Sequence, residues 1–135
     1  MKKHGDEVDI VLTISWKNFS PHKLIDPIII DPKNYAVKNN VDRVNITFKN
    51  KSENCAISSI SLYEYSRKTY KQTGEYDIYN IRNDDTRKVV LVQHTITREQ
   101  ISPDKIFVFK CQSDNCCGGD TKGCADTKTL GFSTK

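Results

Sequence analysis

Apolar and polar residues alternate along most of this chain, and the alternation has the period of a β-strand. Val8, Ile10, Leu12, Ile14 and Trp16 fall on one face of an extended segment, with Asp9, Val11, Thr13, Ser15 and Lys17 on the other. Successive strand side chains point to opposite sides, so this segment predicts one face pressed on a core. Val44, Ile46 and Phe48 repeat the pattern against Asn45, Thr47 and Lys49. Ile106, Val108 and Lys110 alternate with Phe107, Phe109 and Cys111, and Thr127 to Phe132 reads as the return strand of a terminal hairpin.

The middle of the chain is less regular. Cys55 to Tyr65 reads as a strand whose phase slips, with Ile57 and Ser59 on one face and Ile60, Leu62 and Glu64 on the other. A bulge near Ser58 and Ser59 accounts for the slip. Arg67 to Glu75 is polar, carries Gly74, and reads as a long projecting loop. Tyr76 to Ile81 and Val89 to Ile96 are further strands around a turn at Asn83-Asp84-Asp85-Thr86, whose residue types suit a hairpin. Pro27 and Pro32 exclude helix between Lys23 and Asn34 and leave a short extended piece. One helical turn is expected between Thr97 and Asp104.

No segment has a helical period of useful length. The expected fold is therefore all-β: an antiparallel β-sandwich of seven to eight strands, Ig-like or jelly-roll-like, with a Cys-rich C-terminal hairpin. No linker or internal repeat divides the chain, so residues 1–135 are expected to form one domain, with the Cys-rich hairpin tip at 111–124. A chain of this length can bury roughly two-thirds of its unfolded surface. Hydrophobic residues make up only 36%, so a core depends on their phasing.

Charge and targeting narrow the function classes. The net charge of +4 comes from lysines scattered singly, which speaks for a solvated surface and against a nucleic-acid partner. The longest apolar run is Ile28-Ile29-Ile30, too short to span a membrane. Met1 to Glu7 has no apolar stretch behind its lysines, so no signal peptide is expected and synthesis is assigned to the cytoplasm.

Four of the five cysteines, Cys111, Cys116, Cys117 and Cys124, crowd one window with Gly118, Gly119 and Gly123. Soft thiolates around tight glycine turns are what structural zinc needs, so all four are candidate metal ligands. A disulfide between Cys111 and Cys124 and a set of unliganded thiols are the competing readings; an odd cysteine total leaves one thiol unpaired. The histidines His4, His22 and His94 are not brought to this cluster by any pattern, and no nucleophile–base constellation or phosphate-binding glycine loop is present.

Tyr63, Tyr65, Tyr70 and Tyr76 gather in the middle of the chain with Arg67, Lys68 and Lys71. Tyrosine and arginine are favoured at protein interfaces because they bring area with a polar tip. These seven residues are the candidate interface. The expected role is a non-enzymatic structural or adaptor subunit of a larger homo- or hetero-oligomeric assembly, such as a connector, ring or decoration component of a virus or phage particle. Two rivals stand beside it. One is a secreted, disulfide-stabilised recognition module, for which the sequons at Asn18, Asn45 and Asn50 would carry glycans. The other is a metal-binding protein whose cysteine cluster is functional.

Overall fold

The computed structural model describes residues 6–18, 35–38, 40–51, 57–80, 91–113 and 124–133. These form nine strands: β1 (Asp6–Ile14), β2 (Lys17–Asn18), β3 (Tyr35–Lys38), β4 (Val41–Asn50), β5 (Ser59–Ser66), β6 (Gln72–Asn80), β7 (Leu91–Thr97), β8 (Lys105–Ser113) and β9 (Cys124–Ser133). A single 3-10 turn, Arg98–Gln100, lies between β7 and β8, where one helical turn was expected.

The strands build two sheets. One runs β1-β4-β7; the other runs β2-β9-β8-β5-β6, with β3 also paired to β9. Alternation in the sequence becomes two greasy faces. Ile10, Leu12 and Ile14 of β1, Val44, Ile46 and Phe48 of β4, and Val92 and Ile96 of β7 share one core with residues of the second sheet. Those are Ile60 and Leu62 of β5, Phe107, Phe109 and Cys111 of β8, and Leu130 and Phe132 of β9. Phe48 and Phe109 meet edge to face across the two sheets, with ring centroids 5.0 Å apart. Each large apolar side chain taken fully out of water contributes about 2 kcal/mol, so this face-to-face burial holds the sandwich together.

Several expectations need correction. The sandwich is not wholly antiparallel: β1 pairs with β4 in parallel from Glu7↔Arg43 to Ile14↔Asn50, and β3 pairs with β9 in parallel. Parallel neighbours need a long connection between them. Here the chain between β1 and β4 supplies it by visiting the other sheet through β2 and β3. Alternation reports which face a residue takes, not the direction of its neighbour. The strand count also exceeds the seven to eight expected, because β2 and β3 are too short to show a period.

The long loop expected over Arg67 to Glu75 is in fact a short turn, since β6 already begins at Gln72. The phase slip before β5 is present: Ser58 donates its backbone N–H to the Gln112 carbonyl at 2.8 Å, while Ser59 is the register partner of Gln112. Two residues facing one let Ile57 and Ile60 both enter the core. Cys111 and Cys124 lie in β8 and β9, which pair antiparallel; the rest of the expected Cys-rich tip lies outside the described residues. Cys116, Cys117, the segment from Lys23 to Asn34 and the turn at Asn83 to Thr86 lie outside the described residues.

Candidate interaction surface

The expected interface residues all fall on or beside the β5–β6 hairpin, and the pleat divides them into three groups. Register places Tyr65 opposite Ile106 and Tyr63 opposite Val108, on the sheet face turned away from the core. There Tyr65, Ile106 and Val108 form a second buried cluster with Tyr63 packed against it. Burial, and after it the Glu75 charge, pushes the Tyr63 phenol above its ordinary pKa. Arg67 fastens the start of the β5–β6 turn to the rest of the sheet. Its backbone N–H reaches the Asp104 carbonyl at 2.6 Å, and its guanidinium donates to the carbonyls of Pro103 at 3.1 Å and Phe132 at 3.3 Å.

Tyr76 points the other way. Its hydroxyl donates to Glu64 Oε1 at 3.2 Å, and the buried Glu64 carboxylate also pairs with Lys105. The Glu64 charge lifts the Tyr76 phenol above its usual range. Gly74 is the register partner of Glu64, and a Cβ there would lie 2.7 Å from the Tyr76 hydroxyl and 3.1 Å from Glu64 Oε1. The sequence places Glu64 in phase with Ile60 and Leu62, so a core-facing carboxylate was legible there. Its partners Lys105 and Tyr76 were not, because they come from other strands.

Lys68, Tyr70 and Lys71 make up the exposed tip. The Ser66 hydroxyl accepts from the backbone N–H groups of Lys68 at 3.2 Å and Thr69 at 3.3 Å. The Ser66 carbonyl accepts from the Tyr70 N–H at 2.7 Å, and its own N–H reaches the Lys71 carbonyl at 2.9 Å. Tyr70 sits at φ 58°, a left-handed conformation that costs a side chain about 1 kcal/mol. Its ring remains 40% exposed. Ion pairs among the described residues join Arg43 to Glu7, Arg98 to Asp42, Lys105 to Glu64 and Lys128 to Asp126. None involves Arg67, Lys68 or Lys71.

Cys111 is the one candidate metal ligand whose side chain is described. It is a free thiol, fully buried in the main core, and burial with the facing Asp126 charge pushes its pKa up strongly. Among the described residues no group of three or more His, Cys, Asp or Glu side chains is arranged to hold a metal ion. No helix among them is long and apolar enough to cross a membrane.

Other polar groups inside the sandwich serve its architecture. Asp126 accepts from the Ser15 N–H at 2.8 Å and the Thr127 N–H at 2.9 Å, tying the end of β1 to β9. Beside it a cleft of about 290 Å³ is lined by Leu12, Thr13, Tyr35 and Lys128. The Tyr35 hydroxyl there donates to the Val11 carbonyl at 2.9 Å, on the edge of β1 that no described strand pairs. His94 shares the phase of Val92 and Ile96; its Nε2 is buried without a hydrogen-bond partner, and burial lowers its pKa. Asn50 is buried and accepts from Trp16 Nε1 at 2.8 Å, which leaves no room for a glycan in the folded chain.

Comparison with protein-family models, with characterised proteins and with solved structures finds no match for this chain. The functional reading therefore rests on the residues themselves.

Proposed function

We propose that this chain is a non-enzymatic structural or adaptor subunit that docks onto other protein subunits through the β5–β6 hairpin. A connector, ring or decoration component of a virus or phage particle is the kind of role this fits. The observation that carries the reading is Tyr70. It is held in an unfavourable backbone conformation, at an exposed tip, by the hydrogen bond its N–H donates to the Ser66 carbonyl. Two exposed lysines, Lys68 and Lys71, stand on either side of it, and neither is in an ion pair among the described residues. Strain retained at an exposed position points to a use outside the fold, and a tyrosine between cations suits the surface of another protein.

The strand order supports the Ig-like of the two sandwich types. β9-β8-β5-β6 facing β1-β4-β7 reads as G-F-C-C′ facing A-B-E. In that correspondence Phe48 and Phe109 bridge strands B and F, where antibody domains carry a disulfide.

Gel filtration of the tagged chain in an extract of its source cells tests the role. The wild-type chain should elute in complexes well above 15.5 kDa. A variant with Lys68→Glu, Tyr70→Gly and Lys71→Glu should keep its circular dichroism spectrum and elute alone. A wild-type chain that elutes alone contradicts the proposal, as does a complex indifferent to the variant. The buried side chain of Asn50 removes one of the three sequons that the secreted rival would use. A functional metal centre would have to draw on Cys116, Cys117 and Cys124, and elemental analysis before and after Cys116→Ser and Cys117→Ser decides it.

A further inference from the structure

The β5–β6 hairpin changes sign along its length. Lys68 and Lys71 stand exposed at its tip with Arg67 beside them, and none of the three is in an ion pair among the described residues. The Arg67 guanidinium donates to the carbonyls of Pro103 and Phe132. These acceptors are neutral, so its charge adds to the field of the tip. Further along β6, Glu75 and Asp77 are exposed as well.

The tip is also fixed in shape. Ser66 holds the backbone of Lys68, Thr69, Tyr70 and Lys71, and the Thr69 hydroxyl accepts from the Lys71 N–H at 3.3 Å. A partner therefore meets two ammonium groups and an exposed ring on a backbone that is already ordered, which lowers the entropy cost of docking.

We propose that this tip docks on a protein surface that presents a compact group of carboxylates, with Lys68 and Lys71 donating to them and the Tyr70 ring covering the contact. This rests on the adaptor reading and names the chemistry of its partner. Nucleic acid and an anionic bilayer would also attract the lysines, but both carry their charge over an extended surface. Contact spreading from the tip along β6 would bring that charge against Glu75 and Asp77, and like charges set together across an interface cost affinity. A protein can confine its carboxylates to the area under the tip and place neutral or basic side chains opposite Glu75 and Asp77.

Titration of the full chain with a short glutamate-rich peptide, followed by amide chemical shifts, tests this. Shifts should concentrate at residues 67–71 and weaken with added salt. Lys68→Glu with Lys71→Glu should weaken binding at least about tenfold. Tyr70→Asn, which keeps a side chain suited to the left-handed conformation, should also weaken it. Lys49→Glu with Lys51→Glu makes the same change in net charge at two other exposed lysines and should change affinity less than about twofold. Shifts that avoid the tip, or an equal loss in both double variants, overturn the proposal. Tighter binding of the tip to a DNA duplex or to phosphatidylserine vesicles of matched charge overturns it too. If the tip variant still loses its complexes in source extract, the adaptor role stands and only the acidic partner fails.

Discussion

A carboxylate, a thiol and an imidazole sit inside or against the core, and each is placed by the phase of its strand. Asp126 holds two backbone N–H groups and pairs with Lys128 at 3.4 Å. Asp126→Ala should cost about 3 kcal/mol in denaturant unfolding, because it leaves buried donors and an unpaired ammonium. Cys111 should resist thiol reagents in the native state and react only on unfolding, since its thiol is buried and held protonated. For His94 the sign follows from burial. Its folded pKa lies below the ordinary value of about 6.5, so the folded state binds fewer protons than the unfolded one. Stability is then full above about pH 6.5 and is lost as pH falls through that value toward the folded pKa. Denaturation midpoints between neutral and mildly acid pH should show this loss, and His94→Leu should flatten it. Tyr70→Gly should gain up to about 1 kcal/mol by relieving the left-handed residue, while weakening docking.

Strands announced themselves where one side faced the core over a full period. β1, β4 and β8 were legible from alternation alone. β2 and β3 were not, because two or four residues carry no period, and without them the parallel pairings had no visible cause. The β5–β6 hairpin shows a different blind spot. Gln72 to Glu75 is polar because this part of β6 buries little, so a strand looked like a loop. Gly74 looked like a turn residue, whereas its role is to leave space for the Tyr76 hydroxyl beside Glu64. Gly74→Ala should push that hydroxyl aside and cost about 1 kcal/mol, the worth of one hydrogen bond. Tyr76→Phe should cost a similar amount. The double variant should cost little more than either single change in chemical denaturation, because both remove the same contact.

At the scale of the whole molecule, an edge-to-face aromatic contact bridges the two sheets. Phe48→Ala or Phe109→Ala should destabilise the fold by about 4 kcal/mol in thermal or denaturant unfolding. The interior supplies cohesion, while one hairpin presents strain, aromatic surface and unbalanced charge to the outside. The candidate surface was legible as a cluster of tyrosines and cations; its division between two faces and a tip needed the pleat. Amide hydrogen exchange over residues 66–80, compared between dilute isolated chain and the associated form, tests that division of labour most directly. The account predicts slower exchange at the tip and along β6 on association, with the interior strands β4 and β8 unchanged. Equal exchange in the two states, or protection that appears only elsewhere, would contradict it.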